Sequence, residues 1–298
     1  MLAADFQEWM QAHAARMESV LDRVLPPVSQ APARLHEAMR YVALDGGKRV
    51  RPLLAFAAGA LTGADAARVE LAAAGVELIH VYSLVHDDMP CMDDDVLRRG
   101  KPTCHVAYDD ATALLVGDSL QSLAFQVLAQ HVLSDAPQQQ LKMLELLAVA
   151  SGSCGMAGGQ AIDLASVGQE LTLPELEFMH IHKTGALIRA AILLGALCGR
   201  GMTKTEEQAL QRYANRVGLA FQVVDDILDT EADTATLGKT AGKDAANDKP
   251  TYVSLMGLEA ARRFAADLHT EALAALELFG ETALRLRQLA DFIVLRKF

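Results

Sequence analysis

The spacing of apolar residues is the feature that most constrains this fold. Through almost every segment of the chain it follows the 3.6-residue period of an α-helix rather than the two-residue alternation of a strand. The residues that make up these segments are mainly Ala, Leu, Glu, Gln and Met, which favour helices. The sequence therefore predicts an all-α protein.

Glycine and proline residues divide this pattern into separate helices. The predicted helices span 5–24, 31–44, 52–62, 66–90, 109–133, 138–157, 173–199, 204–230, 252–278 and 281–295. None of the gaps is a Ser/Gly-rich linker between two regions of different composition. We therefore expect a single domain over residues 1–298.

Net charge and hydropathy exclude several classes of protein. The formal net charge is -11 and the sequence pI about 5.3, so neither nucleic acid nor an anionic membrane surface is an expected partner. The N-terminal segment contains acids and has the pattern of an amphipathic helix, not of an export signal. The longest uncharged run, Leu146 to Ile162, is too short for a membrane span and contains glycines. We expect neither export nor a membrane span.

The cysteines indicate a reducing compartment. Cys91, Cys104, Cys154 and Cys198 form no CxxC pair and lack zinc-site spacing. A chain of this length needs no disulfides for stability. We therefore expect reduced thiols in a cytoplasmic protein.

Aspartates are concentrated at the ends of two apolar helices. The first stretch, VHDDMPCMDDD, contains Asp87, Asp88 and Asp93, and the second, FQVVDDILD, contains Asp225, Asp226 and Asp229. With Gln222, the second set has the spacing i, i+3, i+4, i+7, which predicts one stripe of a helix. Like charges so close raise one another's pKa unless a cation lies among them. One acidic helix end is commonly a solvated surface, but two facing clusters would suit Mg²⁺.

Basic residues are also grouped in this acidic chain. The stretch DGGKRVRP holds Lys48, Arg49 and Arg51, and further basic residues are Arg98, Arg99, Lys183, Lys239 and Lys249. Alone, the first group is as readily explained as a charged helix start. Together, the groups predict two anion pockets, one held by Mg²⁺ and the other by arginines.

These motifs together resemble the trans-prenyl diphosphate synthases. The resemblance rests on DDMPCMD followed by RRG, on DDILD, and on GGKRVRP, KTG, GGQAIDL, FQ and GK, and it covers residues 40 to 255. It is specific because the separate motifs appear in the family's order, whereas each alone would be weak. It implies a large helical bundle of the isoprenoid synthase type around a central cavity, and a homodimer.

The resemblance also implies roles for individual residues. Asp87, Asp93 and Asp225 match the principal metal ligands, with Asp88, Asp226 and Asp229 in support. Gly47, Lys48, Arg51, His80 and Arg99 match the site for isopentenyl diphosphate. Arg98, Lys183, Thr184, Gln222, Lys239 and Lys249 match positions around the allylic diphosphate. Among these, Lys183, Thr184 and Gln222 would also face the carbocation, whereas the pattern alone would make His80 an ordinary core histidine.

The implied reaction condenses isopentenyl diphosphate with dimethylallyl and geranyl diphosphate to give farnesyl diphosphate. The alternative within the family is a geranylgeranyl or geranyl diphosphate synthase. The implied cofactor is Mg²⁺, about three ions per site with substrate bound, with Mn²⁺ as a substitute. Similar proteins fold a basic tail over the site, here Arg296 and Lys297, and the sequence alone does not decide whether this chain does so.

Product length is predicted from the helix that precedes Asp87. A bulky side chain one turn or slightly more before Asp87 would form a floor for the growing product. Helical geometry puts Ser83 more directly below Asp87 and leaves Tyr82 to one side, so geometry does not choose between them. The resemblance favours Tyr82, because an aromatic residue at that position, with two extra residues in the first motif, accompanies a fifteen-carbon product.

Other interpretations leave more of the sequence unexplained. Glu77 with His80 and Glu177 with His180 have the Glu-x-x-His spacing of di-iron bundles, which arises by chance in helical chains. His86 beside Asp87 suggests an HD-type phosphohydrolase, but that interpretation gives the motif DDILD no role. A non-catalytic prenyltransferase subunit would lack one of the aspartate clusters.

Overall fold

The chain folds into a bundle of α-helices around a deep cavity. The computed structural model describes residues 4–231 and 249–296. Its α-helices are α1 Ala4–Val24, α2 Ala33–Ala43, α3 Val50–Leu61, α4 Ala66–Asp87, α5 Cys104–Ala107, α6 Asp110–Gln130, α7 Pro137–Ser151, α8 Met156–Ala165, α9 Leu173–His180, α10 Ala186–Leu197, α11 Lys204–Glu231, α12 Tyr252–Met256, α13 Leu258–Ala275 and α14 Leu284–Leu295. The prediction of an all-α bundle is confirmed, whereas the single domain over 1–298 stays a prediction.

Three helices form the centre of the bundle: α3, α4 and α10. Each is apolar on nearly all of its faces, which is typical of a helix surrounded by others. Helices α3 and α10 approach so closely that a Cβ atom on Gly195 would lie 2.1 Å from the carbonyl oxygen of Ala55. The small residues of these helices therefore allow a dense core above which the cavity opens.

The helix predicted over 138–157 is wrong in extent. The helix expected over 138–157 ends at Ser151, and a separate helix, α8, begins at Met156. The break lies in SGSCG, where glycines disfavour a helix and Gly155 has φ -140° and ψ -129°, outside the helical region. Helix α8 was not predicted as a separate element, and it contributes one wall of the cavity.

A short hairpin after the first aspartate cluster was also not predicted. Strands β1 Leu97–Arg98 and β2 Lys101–Pro102 pair antiparallel, with Arg98 opposite Lys101. The two turn residues, Arg99 and Gly100, have φ of 53° and 75°, the backbone that a tight two-residue hairpin turn requires. The hairpin fixes the positions of the two consecutive arginines.

Glycines also divide the C-terminal helices. The helix predicted over 252–278 is interrupted at Gly257, which has φ 82° and separates α12 from α13. The helix predicted to begin at 281 begins at Leu284, after the 3₁₀ segment Glu277–Ala283 with its turn at Gly280. In both places the backbone leaves the helical region at a residue that tolerates positive φ.

Within residues 4–231 and 249–296, two helices have the length and apolar composition of a membrane span, α4 and α6. Core helices of globular proteins have the same length and composition, so this is weak evidence for a membrane span. Of the apolar window in α4, 72% is buried within the bundle, compared with 44% in α6. Packing inside the bundle thus explains the apolar composition of α4, whereas α6 keeps an exposed apolar face.

His180 is a buried histidine at the end of α9. Its ring stacks on Tyr252 at a centroid distance of 5.4 Å, and neither ring nitrogen has a hydrogen-bond partner within the described residues. Burial, with a smaller contribution from the Lys183 charge, lowers the pKa of His180 to about 3. The folded protein therefore holds this ring neutral.

We predict that His180 makes the fold sensitive to acid. The unfolded chain binds a proton near pH 6.5 and the folded chain does not, so stability falls as pH drops below 6.5 towards 3. The expected loss from this one group between pH 7 and pH 5 is about 2 kcal/mol. His180→Phe keeps the ring stack and should remove that loss, as measured by urea unfolding at both pH values. An unchanged pH dependence in the variant would contradict this assignment.

Candidate functional site

The cavity has a volume of about 720 Å³ and lies at one end of the bundle. Its walls come from the start of α3, the second half of α4, the hairpin, α8, the segment before α10, and α11. Most residues predicted for the site line it: Gly47, Lys48, Arg51, His80, Tyr82, Ser83, Asp87, Asp93, Arg98, Arg99, Lys183, Thr184, Gln222, Asp225 and Lys249. Asp88, Asp226 and Asp229 do not line it, and Lys239 and Lys297 lie outside the described residues.

The first aspartate cluster combines a helix end and a folded loop. The backbone N–H of Asp93 donates to the carbonyl oxygen of Asp87 at 2.8 Å, which brings both carboxylates to the cavity. Burial raises the pKa of Asp87 to about 6. The negative charges of Asp93 and Asp88 also raise it, whereas the positive charges of Lys183 and Arg98 lower it. A nearby cation would therefore stabilise the ionised form of Asp87.

Asp88 turns away from the cavity. Its side chain is buried and accepts hydrogen bonds from Arg98, including 2.8 Å from Nε to each carboxylate oxygen. Such a two-point contact fixes the guanidinium plane. Asp88 thus anchors the hairpin, while its predicted supporting role at a metal stays a prediction.

The members of the second aspartate cluster differ in burial. Asp225 faces the cavity, whereas Asp226 and Asp229 are buried. The predicted stripe is about 100° wide on a regular helix, so its two edges, at Asp225 and Asp226, can border different surroundings. Asp226 instead accepts a hydrogen bond from the backbone N–H of Tyr252 at 2.8 Å.

Arg296 lies over the same part of the cavity. Its Nη2 donates to Asp225 Oδ1 at 2.5 Å and to the carbonyl oxygen of Phe221 at 2.8 Å. Its guanidinium carbon is 3.9 Å from the centre of the Phe221 ring. The C-terminal segment therefore brings a cation to the second aspartate cluster, a question that the sequence left open.

Lys183 and Thr184 belong to a π-helical segment, Ile181–Gly185, between α9 and α10. Such one-turn insertions are frequent at functional sites because they redirect side chains. Thr184 Oγ1 donates to Gln222 Oε1, and Gln222 Nε2 donates to Asp226 Oδ1, each at 3.2 Å. The buried Asp226 therefore orients the Gln222 amide at the cavity wall.

Asp163 on α8 is a residue whose importance sequence reasoning missed. Its Oδ2 accepts from Lys183 Nζ at 2.6 Å and from Lys249 Nζ at 3.2 Å, and Lys249 also donates to Asp93 at 3.0 Å. Burial raises the pKa of Asp163, but the charges and hydrogen bonds of both lysines outweigh it and hold that pKa below its ordinary value. The motif GGQAIDL contained the signal, although a helix kink explained it equally well.

The close contact between α8 and the π segment depends on Gly159. A Cβ atom there would lie 2.1 Å from the backbone nitrogen of Lys183. Any larger residue would push Lys183 away from Asp163. The glycine of the motif thus has a packing role that is separate from that of Asp163.

The opposite wall of the cavity is cationic. The Arg99 side chain lies against Gly46 and Gly47, where a Cβ atom on Gly47 would be 2.6 Å from the guanidinium carbon. Burial lowers the pKa of His80 well below its ordinary value, and the charges of Arg51 and Arg99 add to this effect. The pocket therefore presents a neutral imidazole among guanidinium groups, which is an arrangement suited to an anion.

Comparison with known proteins agrees with this geometry. The family model "Polyprenyl synthetase" matches residues 32–276. The chain is 47% identical over 295 residues to a farnesyl diphosphate synthase of Haemophilus influenzae, covering 98% of this chain and 99% of that protein. It is 46% identical to the Escherichia coli farnesyl diphosphate synthase, with the same coverage. The chain belongs to the polyprenyl synthetase family. It is a transferase, and the family resemblance inferred from its motifs is confirmed.

Solved structures support the same assignment. An FPP/GFPP synthase from Zymomonas mobilis has a TM-score of 0.88 at 42% identity, covering 97% of this chain and 99% of its own. A geranyltransferase from Helicobacter pylori, complexed with magnesium and isoprenyl diphosphate, has a TM-score of 0.84 at 32% identity, covering 99% and 98%.

The di-iron alternative does not fit this polyprenyl synthetase. Glu77 is hydrogen-bonded to Arg49, and His180 stacks on Tyr252 away from the cavity lining. The two Glu-x-x-His pairs therefore do not meet in one site. Within residues 4–231 and 249–296, no three His, Cys, Asp or Glu side chains lie close enough together to hold a metal by themselves, so a metal at the aspartates would also need substrate or water oxygens as ligands.

Tyr82 and Ser83 of the polyprenyl synthetase both line the cavity below Asp87. The Tyr82 ring packs edge-on against His86, with the ring centres 5.8 Å apart. Burial raises the pKa of Tyr82, and a hydrogen bond with Gln121 acts in the opposite direction. The smaller Ser83 donates its hydroxyl to the carbonyl oxygen of His80 at 2.8 Å. Tyr82 is thus the larger barrier of the two, although which one limits the product stays a prediction.

We predict that Asp163→Asn destabilises this polyprenyl synthetase. The amide keeps the shape of the side chain but removes the charge that pairs with Lys183 and Lys249, so the free energy of unfolding should fall by about 2 kcal/mol. Urea denaturation measures this change. Asp267→Asn, on the exposed face of α13, is the control and should change stability by less than about 0.5 kcal/mol. Equal effects of the two substitutions would contradict a role for the Asp163 ion pairs.

Proposed function

We propose that this chain is a Mg²⁺-dependent farnesyl diphosphate synthase, which joins isopentenyl diphosphate first to dimethylallyl and then to geranyl diphosphate. The observation that carries the proposal is the meeting of Asp87, Asp93 and Asp225 at one cavity whose other wall is cationic. Bacterial relatives named farnesyl diphosphate synthase support the assignment. One polyprenyl synthetase domain over residues 1–298 is part of the proposal.

The acidic residues of the cavity fit Mg²⁺. Asp87, Asp93 and Asp225 offer hard carboxylate oxygens, which this ion prefers together with substrate phosphates. The site already attracts positive charge, because Lys249 contacts Asp93 and Arg296 contacts Asp225. Asp88, Asp226 and Asp229 would support the ligands from behind. When bound, about three Mg²⁺ ions, or Mn²⁺ in their place, would supply Lewis-acid stabilisation to the departing diphosphate.

The cationic residues would hold the two substrates by their diphosphates. Lys48, Arg51, His80 and Arg99, beside Gly47, would bind isopentenyl diphosphate. Arg98, Lys183, Lys239 and Lys249 would contact the allylic diphosphate. Binding the two substrates in adjacent pockets places the attacking double bond near the allylic carbon, which removes much of the entropic barrier.

The chain's own residues would then assist the bond changes. The allylic C–O bond breaks to leave a carbocation and diphosphate, the double bond of isopentenyl diphosphate forms the new C–C bond, and a proton leaves for the diphosphate. Thr184, Gln222 and the segment around Lys183 present oxygen dipoles that would stabilise the cation. The apolar helix faces below exclude the water that would quench it.

An assembly and a location belong to the same proposal. Exposed apolar side chains lie on α6 and α7: Leu114, Leu115, Leu141 and Val149. Exposed apolar side chains of this kind favour a homodimer, because the burial of apolar surface drives most association between subunits. The cysteines Cys91, Cys104, Cys154 and Cys198 are all free, which supports a cytoplasmic location.

We predict that prenyl transfer requires a divalent cation and the Asp225 carboxylate. Incubation with Mg²⁺, geranyl diphosphate and isopentenyl diphosphate should release diphosphate, and a chelator should abolish the release. Asp225→Asn should lower turnover by about a hundredfold, since an amide is a weaker ligand for Mg²⁺. Diphosphate release is the measurement.

Asp94→Asn is the matched control for Asp225→Asn. Asp94 lies in the first aspartate loop, is exposed, and does not line the cavity. It should keep turnover within about threefold of the original protein. If no allylic substrate gives metal-dependent transfer, the proposed function is wrong. If both variants lose activity equally, the ligand assignment is wrong.

We predict that Tyr82 limits the product to fifteen carbons. Tyr82→Ala removes the ring that closes the cavity below Asp87, so chains of twenty or more carbons should appear. Ser83→Ala is the control, because it leaves the Tyr82 ring in place. Chromatography of the extracted products decides between the outcomes.

The alternative is a synthase of longer chains. A geranylgeranyl pyrophosphate synthase of Capsicum annuum is 44% identical over 98% of this chain, so a relative of similar identity is named for a different product. A twenty-carbon main product from the unchanged protein would establish that alternative. A fifteen-carbon product from Tyr82→Ala would show that another residue forms the floor.

A further inference from the structure

Glu77 is a buried carboxylate in the cationic wall of the cavity. It lies in the middle of α4 and is 2% exposed, yet it reaches the cavity lining. Its Oε1 accepts from Arg49 Nη1 at 2.6 Å. A buried carboxylate inside an anion-binding pocket opposes the pocket's attraction for anions, so its presence requires another explanation.

Arg49 accounts for only part of the environment of Glu77. The Arg49 side chain is fully buried and also donates to Glu18 on α1 at 2.5 Å and to the carbonyl oxygen of Ala43 at 2.6 Å. Arg49 would therefore keep a carboxylate partner without Glu77. Arg49 thus ties the loop before α3 to the neighbouring helices α1 and α4.

Arg51 and Arg99 line the same cavity as Glu77. Burial lowers the pKa of both, and in each case the Glu77 charge is the largest effect that raises it. Arg51 Nε is buried and has no hydrogen-bond partner within the described residues. Arg99 is held on its other side by contact with Gly46 and Gly47. The Glu77 charge therefore acts on both arginines at one cavity lining, and the buried Arg51 Nε is a donor available to a ligand.

We propose that Glu77 is a positioning residue that holds Arg51 and Arg99 at the spacing needed to bind the diphosphate of isopentenyl diphosphate. This inference rests on the proposed function for the identity of the ligand. Like charges in a low-dielectric pocket repel each other strongly, and a carboxylate in the same pocket offsets that repulsion before the ligand arrives. The positions of the arginines are then fixed in advance, which lowers the cost of binding.

The test uses Glu77→Gln, which keeps the shape of the side chain and removes its charge. Binding of isopentenyl diphosphate and of inorganic pyrophosphate is measured by calorimetry in a chelator, so that no metal contributes. We expect about tenfold weaker binding of both, and in the assay about a tenfold higher KM for isopentenyl diphosphate with less than about threefold change in kcat and in KM for geranyl diphosphate. Binding equal to or tighter than that of the unchanged protein would overturn the proposal.

Glu70→Gln is the matched control. Glu70 lies two turns earlier on α4, is also buried, and pairs with Arg16 and Arg23 outside the cavity. Loss of its charge should lower stability without changing the affinity for either anion by more than about twofold. If Glu70→Gln weakens binding as much as Glu77→Gln, the effect arises from general destabilisation of α4 and the proposal is wrong.

A second comparison tests whether Glu77 acts on Arg51 and Arg99 or on Arg49 alone. It also applies if Glu77→Gln fails to fold. Arg49→Gln and the double variant Arg49→Gln/Glu77→Gln both lack the buried pair, and removing both partners is better tolerated than removing one. We expect the double variant to bind pyrophosphate about tenfold more weakly than Arg49→Gln. Equal binding would mean that Glu77 serves Arg49 alone. Because pyrophosphate binding needs no prenyl transfer, failure here is distinct from failure of the proposed function.

Discussion

Charged side chains that are buried in the bundle need partners of opposite charge from other parts of the chain. The site of this protein depends on that requirement. An unpaired charge in the bundle would cost several kcal/mol, whereas a paired and hydrogen-bonded charge is tolerated. Asp163 on α8 meets this requirement for Lys183 and Lys249, and Glu77 on α4 meets it for Arg49. Each pair joins elements that are distant in sequence. The ion pairs therefore fix how the helices surround the cavity.

Local patterns in the sequence were sufficient for the helices and for the composition of the site. The 3.6-residue period depends only on neighbouring residues, so the all-α fold was predictable. The aspartate motifs end apolar helices, and helices that bury apolar faces together bring their ends together. Asp87 and Asp225, 138 positions apart in the sequence, consequently line one cavity.

Features that depend on distant partners were not predictable from the sequence. The buried Asp226 has the backbone N–H of Tyr252 as a partner, and the buried Asp88 has Arg98 of the hairpin. The importance of Asp163 and Glu77 is visible only when their lysines and arginines are in place. The separate helix α8 was missed because SGSCG indicates a weak helix but does not indicate where the next helix begins.

The π segment Ile181–Gly185 limits how the chain can change in length. A π turn holds one more residue than the α-turn it replaces, so deletion of a single residue there would restore a regular helix. The flanking helices α9 and α10 would stay close to their present alignment, but the wide turn that carries Lys183 towards Asp163 would be lost. The loop 166–172 between α8 and α9 has no such constraint. Length variation among homologous chains should therefore accumulate in that loop and be absent from the neighbouring π segment.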